Sequence, residues 1–299
     1  MKQQCLVCQT EYKAKFRKRG FDYAQCPQCK LVVTLPLPDS ATIEKHYEEQ
    51  AKKGNYALGY KMRDAYQPIH NGLKDHLKNE LKLLGKNIKG LKVLDIGCFL
   101  GGFIEALHKE GADVLGIELQ TEAVEFVNKI LPGKVLNSDV YFNNLPSQSF
   151  DVISINGVIE HVLNPDKLVA RIHELLAPGG IIMIQTPDSG SWLARTMSKH
   201  WFPYTPVEHI FLFSEKSLKL LFKQKGFEFR RRISHKKNLP IEFVYRVLGT
   251  FGPEFQKLLS PLYKASPQRL KDLSIPFYIG EMIVFGQKNS LSTEHQDHQ

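Results

Sequence analysis

The feature that most constrains this chain is a glycine-containing loop between two apolar segments. Residues 93–96 form a short apolar segment, and Gly97 and Gly101 follow it. After a helical stretch, residues 114–118 form a second apolar segment that ends in Glu118. A buried strand, a glycine loop, a helix and a strand ending in a carboxylate are typical of the nucleoside-binding half of a doubly wound sheet. The glycines let a ligand approach the backbone because no Cβ stands in the way.

The spacing within the loop separates two kinds of nucleotide site. A dinucleotide site has the pattern G-x-G-x-x-G and binds its phosphate with the loop. Here Asp95 precedes Gly97, and the next glycine is Gly101. A carboxylate at this position would repel a pyrophosphate but could bind an ammonium group. Glu118 lies 21 residues after Gly97, where an acidic side chain can accept hydrogen bonds from ribose hydroxyls.

This loop resembles motif I of the class I S-adenosylmethionine-dependent methyltransferases, whose usual form is D-x-G-x-G-x-G. Phe99 stands at the position of the middle glycine. The resemblance implies S-adenosylmethionine as the cofactor, with its methionine moiety near Asp95, Gly97 and Gly101. It also implies that Glu118 binds the ribose.

Later strings extend the resemblance to the small-molecule branch of these enzymes, which includes ubiquinone-type O-methyltransferases and many glycan-modifying members. The strings are FDVI at 150–153, IEHV at 159–162, LAPGG at 176–180, QTPD at 185–188 and EHIFLFS at 208–214. Together the resemblance covers about residues 40–235 and a final strand near 276–285. It implies that Asp139 lies near the adenine and Asn156 under the bound cofactor.

Alternating strand and helix patterns predict an α/β fold from residue 91 onward. We expect a doubly wound, seven-stranded, mostly parallel sheet of the Rossmann-like methyltransferase type, preceded by helices starting near Ser40 and Pro68. The strands are expected near 92–96, 113–118, 134–137, 150–156 and 180–185. The helices are expected near 102–110, 121–130, 165–176 and 214–225.

Two C-x-x-C pairs near the start of the chain predict a small N-terminal zinc ribbon. The four thiols belong to Cys5, Cys8, Cys26 and Cys29, and pairs at this separation can hold Zn²⁺ tetrahedrally. A structural zinc ion would stabilise a segment too small to hold a core of its own. Reactive dithiols are the alternative, but a thioredoxin-like motif needs a βαβ context that this segment lacks.

The predicted organisation has four parts. We expect a zinc ribbon at 1–35, a helical cap or linker at 36–90, the methyltransferase domain at 91–288, and a disordered tail at 289–299. Within the third part, a helical insert at about 236–275 is interpreted as an extra helical layer, a lid over substrate or a membrane-surface patch. Tyrosines in the cap either line the cofactor site or pack its helices on the sheet; they are Tyr47, Tyr56, Tyr60 and Tyr66.

The charge of the chain is unevenly distributed around a formal net value of +9. Residues 1–90 and 191–299 each carry 17 basic and 9 acidic side chains, whereas residues 91–190 carry 6 and 13. Basic flanks suit an anionic partner, or they are simply a solvated surface. No apolar run approaches a membrane span, and the first residues lack a hydrophobic signal core, so we expect a cytoplasmic protein.

Two histidines are the candidates for catalysis. Methyl transfer to a hydroxyl oxygen is helped by a general base, and histidine titrates near neutrality. His161 follows the predicted fourth strand and His209 precedes the helix near 214–225. Each is otherwise a structural residue that ties loops together, and an amine or carbanion acceptor would need no strong base.

Three functions remain open from the sequence. The leading hypothesis is a methyltransferase acting on a small molecule or on a glycan or lipid precursor. The second is an RNA methyltransferase that docks through its zinc ribbon, favoured by the basic string at 16–19. Against it, no N-P-P-Y-type motif follows the fourth strand, where Asn156 begins N-G-V-I instead. The third is a non-catalytic binding protein. The acceptor, its reacting atom and the oligomeric state stay undetermined.

Overall fold

A computed structural model describes residues 3–52, 55–141, 144–242, 244–245, 249, 253–271 and 273–289. The strands in chain order are β1 (Lys13–Lys18), β2 (Phe21–Gln25), β3 (Val32–Leu35), β4 (Lys92–Ile96), β5 (Asp113–Glu118), β6 (Val135–Asn137), β7 (Phe150–Asn156), β8 (Leu176–Pro187), β9 (Phe211–Leu212), β10 (Phe227–Pro240) and β11 (Ser274–Lys288). The helices are α1 (Ser40–Lys52), α2 (Asn55–Leu83), α3 (Gly102–Lys109), α4 (Thr121–Ile130), α5 (Pro165–Leu175), α6 (Trp192–Met197), α7 (Glu215–Gln224), α8 (Pro253–Ala265) and α9 (Gln268–Lys271).

A seven-stranded sheet forms the centre of the molecule, in the order β10-β11-β8-β7-β4-β5-β6. The five strands from β8 to β6 run parallel, and β11 pairs antiparallel with both β8 and β10. Helices cover both faces: α2, α3 and α4 pack on one and α5 and α7 on the other. A sheet buried on both faces explains the nearly continuous apolar runs of its strands. The predicted doubly wound fold is confirmed.

The prediction that a helix begins near Pro68 is wrong. Helix α2 starts at Asn55 and contains Pro68 in its interior. Proline usually ends or kinks a helix because it lacks an N–H and clashes with the preceding turn. Here tertiary contacts hold the helix on both sides of the proline: Gln67 precedes it and bonds the glycine loop, and Leu73 follows it in the core of the sheet.

The predicted insert at 236–275 is also wrong at its boundaries. Strand β10 continues to Pro240, which pairs with Ser274 at the start of β11. The charged residues of this hairpin were not recognisable as strand because their partners lie across β11: Lys237, for example, forms an ion pair with Glu281 at 2.6 Å. Helix within the described part of this region comprises residues 241–242, 244–245 and 249 together with α8 and α9.

Some predictions fall outside the described residues. The side chains of the cap tyrosines Tyr47, Tyr56, Tyr60 and Tyr66 lie outside them, as do residues 290–299 of the predicted tail. No helix in the described ranges combines the length and apolar composition that crossing a membrane requires.

The N-terminal segment forms a second sheet, and the methyltransferase-like part of the chain completes it. Strands β1, β2 and β3 are antiparallel neighbours, and β9 adds the fourth strand beside β3. Cys5, Cys26 and Cys29 share a hydrophobic cluster with Leu218 and Leu221 of α7. The ribbon is therefore packed against the larger fold and is not an independent domain on a linker.

Candidate active site

The glycine loop has the backbone geometry that its sequence demands. Gly97 and Gly101 have φ values of +74° and +70°, a region that L side chains rarely adopt. A Cβ on Gly101 would lie 2.6 Å from a methyl carbon of Val127, and one on Gly97 would lie 2.6 Å from Val158. The loop thus needs glycine at both positions for conformation and for space.

Asp95 is buried at the end of β4, beneath this loop. Its Oδ1 accepts hydrogen bonds from Ser154 Oγ at 2.6 Å and from Asn156 Nδ2 at 3.1 Å. Burial is the main cause that raises the pKa of Asp95 to about 7, against the lowering effect of these two bonds. Asn156 keeps its own Oδ1 buried without a hydrogen-bond partner in the described structure.

Glu118 ends β5 and binds the loop from the other side. Its Oε2 accepts from the Phe99 N–H at 2.9 Å, and its Oε1 accepts from the N–H groups of Leu119 and Gln120 at 2.8 and 2.9 Å. These bonds fix the carboxylate and hold the loop, while carboxylate oxygens can accept further bonds. Asp139 follows β6, and its Oδ1 accepts from the Tyr141 N–H at 2.8 Å.

These residues share one edge of the sheet because the carboxyl ends of parallel strands meet there. Asp95 lies in the last part of β4, Glu118 is the last residue of β5, and Asp139 comes just after β6. The edge offers carboxylates and, on Asn156, an amide oxygen without a partner in the described structure. That donor-seeking surface fits an ammonium group and ribose hydroxyls, so the residues present fit S-adenosylmethionine.

Helix α2 covers the glycine loop through residues that precede Pro68, the predicted start of the helix. Arg63 Nε donates to the Leu100 carbonyl at 3.2 Å and forms an ion pair with Glu105. Gln67 Nε2 donates to the Gly102 carbonyl at 3.3 Å. These contacts hold α2 over the glycine loop.

His161 and His209 lie together, with ring centroids 4.8 Å apart. His161 Nδ1 lies 2.8 Å from the Glu208 carbonyl oxygen, and His209 Nδ1 lies 2.6 Å from that of Pro203. A carbonyl oxygen only accepts, so each Nδ1 carries the proton and each neutral ring presents a basic Nε2. Burial lowers the pKa of both histidines, which keeps both rings neutral at pH 7.

Glu160 stands beside the histidine pair. Its Oε2 accepts from Thr186 Oγ1 at 2.9 Å, and its Oε1 lies 3.8 Å from His161 Nε2. Burial raises the pKa of Glu160. Ligand atoms of Glu160 and the two histidines all lie within 4.8 Å of one another, so this is a compact polar cluster.

Gly157 leaves room for a side chain beside this cluster. A Cβ placed on Gly157 would lie 3.9 Å from both Gln185 Oε1 and Glu160 Oε1, with no other heavy atom within 4 Å beyond its chain neighbours. Gln185 is oriented from behind, because its Nε2 donates to Glu281 Oε2 at 2.6 Å. Lys237 balances the charge of that buried carboxylate. The string QTPD contains Gln185 but indicates no role for it. Glu281 and Lys237 lie in no motif that the sequence would reveal.

The four ribbon cysteines are brought together as predicted. Cys5 Sγ lies 3.4 Å from Cys29 Sγ, and Cys8 Sγ lies 3.3 Å from Cys26 Sγ. All four sulfur atoms lie within 4.8 Å of one another. This arrangement fits a zinc ribbon. Cys98 is buried in the glycine loop, far along the chain from this cluster.

Part of the basic charge is paired within the fold. Arg230 and Arg231 both pair with buried Glu80, and Arg232 pairs with buried Asp188 at 2.5 Å. In the ribbon, Phe16 of the basic string packs against the rings of Tyr23 and Tyr204, and Lys18 Nζ lies 3.5 Å from the Trp201 carbonyl oxygen. These groups stabilise the fold, whereas Arg17 and Arg19 of the same string lie exposed.

Known proteins resemble this chain over its central part. A family model described as a methyltransferase domain matches residues 70–231, more than half of the 299 residues. The ubiquinone biosynthesis O-methyltransferase of Psychrobacter arcticus is 35% identical over 121 residues, which are 38% of this chain and 45% of that protein. The same enzyme of Psychrobacter cryohalolentis is 33% identical over 163 residues, 50% of this chain and 63% of that protein. The match therefore spans less than two thirds of the length of either relative.

A solved structure shows the same fold over nearly the whole chain. The 1,6-didemethyltoxoflavin-N1-methyltransferase of Burkholderia thailandensis superposes with a TM-score of 0.53 at 14% identity, covering 93% of this chain and 100% of that one. At this identity the likeness speaks for the architecture alone. It agrees with the sheet order and with the helices on both faces.

Proposed function

This chain belongs to the methyltransferase domain family, and from that premise we propose that it transfers a methyl group from S-adenosylmethionine to a hydroxyl oxygen. The acceptor is a small molecule or a glycan or lipid precursor. The observation that carries the oxygen assignment is the neutral pair His161 and His209, whose Nδ1 atoms bond carbonyl oxygens and leave Nε2 as the base. The matched relatives bear the name O-methyltransferase, which supports the same reaction.

The cofactor would lie across the carboxyl edge of β4, β5 and β6. Asp95 would receive the ammonium group, Glu118 the ribose hydroxyls, and Asp139 the adenine. Gly97 and Gly101 allow the backbone to approach. S-adenosylmethionine, when bound, supplies a methyl group already activated on a sulfonium.

The acceptor would lie in the space above Gly157, next to Asn156 and thus next to the cofactor edge. His209 or His161 would take the hydroxyl proton at Nε2, which makes the acceptor oxygen a stronger nucleophile. The substrate donates a hydrogen bond to Gln185 Oε1, which fixes its orientation. Once substrate and cofactor are held in place, the methyl transfer is effectively a unimolecular step. Burial of the cluster excludes water from the reacting atoms.

The ribbon would hold one structural zinc ion through Cys5, Cys8, Cys26 and Cys29. Four thiolates in a closed tetrahedral set leave no open position for substrate. We therefore assign the metal to stability and not to the chemistry. The described structure gives no observation that favours RNA over a small acceptor.

The test is a methyl-transfer assay with S-adenosylmethionine carrying a labelled methyl group and a cell extract separated into RNA, protein, lipid–glycan and small-molecule pools. We expect label in the small-molecule or lipid–glycan pool, in a product whose methyl group resists mild alkali as an ether does. Calorimetry measures cofactor binding in parallel. Label confined to RNA or protein, or no binding of S-adenosylmethionine, would contradict the proposal.

A further inference from the structure

The ribbon sheet ends directly against the segment that carries His209. Val33 pairs with Phe211 and Val32 with Leu212, so β9 is the fourth strand of the ribbon. One residue further along, the Thr34 N–H donates to the Ile210 carbonyl at 3.0 Å. A segment more than 170 residues away in sequence is thus paired with the ribbon through its backbone.

The side chain of Thr34 adds a bond to His209 itself. Thr34 Oγ1 donates to the His209 carbonyl oxygen at 3.0 Å, and Thr34 is fully buried. On the opposite side, the N–H groups of Ile210 and Phe211 donate to the Glu160 carbonyl at 2.8 and 3.2 Å. The backbone of residues 209–211 is therefore held between the ribbon and the residue that precedes His161.

The cysteine end of the ribbon is anchored to the same region. Ser214 Oγ donates to the Cys29 carbonyl at 3.0 Å, and Gln224 Nε2 donates to the Val7 carbonyl at 2.7 Å. Ser214 is the N-cap of α7, which follows β9, and Gln224 is the last residue of that helix. The ribbon thus contacts the chain both before and after β9. These contacts restrict the movement of the segment that carries His209.

We propose that Thr34 is a positioning residue for His209. Through this residue the ribbon determines where the His209 side chain lies in the active site. The inference rests on the proposed function, because it takes His209 to be part of the base. Without the Thr34 hydroxyl, the buried His209 carbonyl loses a donor and the segment relaxes. A shift of about 1 Å in a reacting group can cost on the order of 10²-fold in rate. The ribbon influences the chemistry through this contact and does not touch substrate.

The first test compares Thr34→Val, which keeps the shape and removes the donor, with Thr34→Ser, which keeps the donor. We expect Thr34→Val to lower kcat about tenfold or more, with the Kd for S-adenosylmethionine changed less than twofold. Thr34→Ser should keep more than half of kcat. Thr196→Val is the matched control, because Thr196 Oγ1 bonds only carbonyls of α6. Equal kcat for the Val and Ser variants would overturn the proposal.

A second measurement does not depend on turnover. Amide hydrogen exchange of residues 208–212 should quicken in Thr34→Val and stay as in the wild type in Thr34→Ser and Thr196→Val. Removing the metal with a chelator should quicken exchange in the same residues of the wild type. Unchanged exchange in Thr34→Val would contradict the proposal. If Thr34→Val does not fold, Thr34→Ala replaces it in both measurements.

A double variant separates positioning from general stability. In a His209→Asn background, Thr34→Val should lower kcat less than twofold further, because the group that it positions is already gone. Two fully multiplying effects would show that Thr34 acts elsewhere and would overturn the inference. If the wild type binds S-adenosylmethionine but methylates no hydroxyl, the proposed function fails, whereas the exchange data still decide whether Thr34 holds the segment.

Discussion

The proposed cofactor edge and the proposed acceptor space of this molecule are built in different ways. The cofactor edge draws on residues 95–156, where each strand of a parallel run delivers its polar residue directly at its end. The acceptor space combines Glu160 and Gln185 with His209, and it is supported from as far away as Thr34 and Glu281. The first is a local product of strand, loop and helix. The second exists only once distant segments have packed together, so its residues are the ones through which related folds can change substrate.

The largest expected effect breaks the acceptor space and spares the cofactor edge. His209→Asn keeps a donor toward the Pro203 carbonyl but removes Nε2, so kcat should fall about 10²- to 10⁴-fold. The Kd for S-adenosylmethionine should change less than twofold. Steady-state kinetics and calorimetry measure the two quantities, and His108→Asn on the exposed face of α3 is the control. A variant that keeps kcat would remove His209 from the mechanism and leave His161 as the base.

The next effect is on the cofactor edge. Gly101→Ala adds a methyl group 2.6 Å from Val127 at a φ of +70°, and overpacking of this kind costs about 1–3 kcal/mol. We expect the affinity for S-adenosylmethionine to fall about 10- to 100-fold. Gly133→Ala is the matched control, because it has the same φ and open space around it. Equal loss in both variants would show that backbone strain alone, and not the packing against Val127, decides affinity.

The pH dependence of cofactor binding sharpens the role of Asp95. Burial raises its pKa to about 7, so below pH 7 the free protein carries a proton that an ammonium ligand must displace. Affinity for S-adenosylmethionine should therefore fall as pH falls, by up to about tenfold per pH unit. Calorimetry in buffers of different ionisation enthalpy should detect proton release at pH 6. Asp95→Asn should bind weakly with a flat pH profile, and a wild-type profile equally flat from pH 5 to 8 would contradict this role.

The smallest expected effect is at Gln185. Gln185→Leu keeps the size of the side chain but removes the oxygen that faces the space above Gly157 and the donor to Glu281. The neutral hydrogen bond proposed between Gln185 Oε1 and the acceptor is worth about 0.5–1.5 kcal/mol, so kcat/KM for the acceptor should fall several-fold while cofactor affinity stays unchanged. Gln287→Leu is the control, because Gln287 also makes one bond, to the Gly179 carbonyl. An unchanged kcat/KM would move the acceptor away from Gln185.

The contrast between the two regions also explains what the sequence could and could not predict. Asp95, Gly97 and Glu118 were recognisable because spacing along one strand–loop–helix unit determines where they meet. Strand β9 is two residues long and gave no pattern of its own, so its pairing with the ribbon could not be seen. The local propensity of Pro68 predicts the start of α2 13 residues too late, because the contacts with the glycine loop that override this propensity are tertiary. Glu281 and Lys237 meet only through the register of β10 with β11.

The most direct test of this account measures two quantities in two variants side by side. The Kd for S-adenosylmethionine and the kcat at saturating acceptor and cofactor are determined for Gly101→Ala and His209→Asn against the wild type. The account predicts that Gly101→Ala raises Kd about 10- to 100-fold with kcat within a few-fold of wild type, and that His209→Asn does the opposite. Losses of both quantities in both variants would show that the two regions are one energetic unit and would contradict the account.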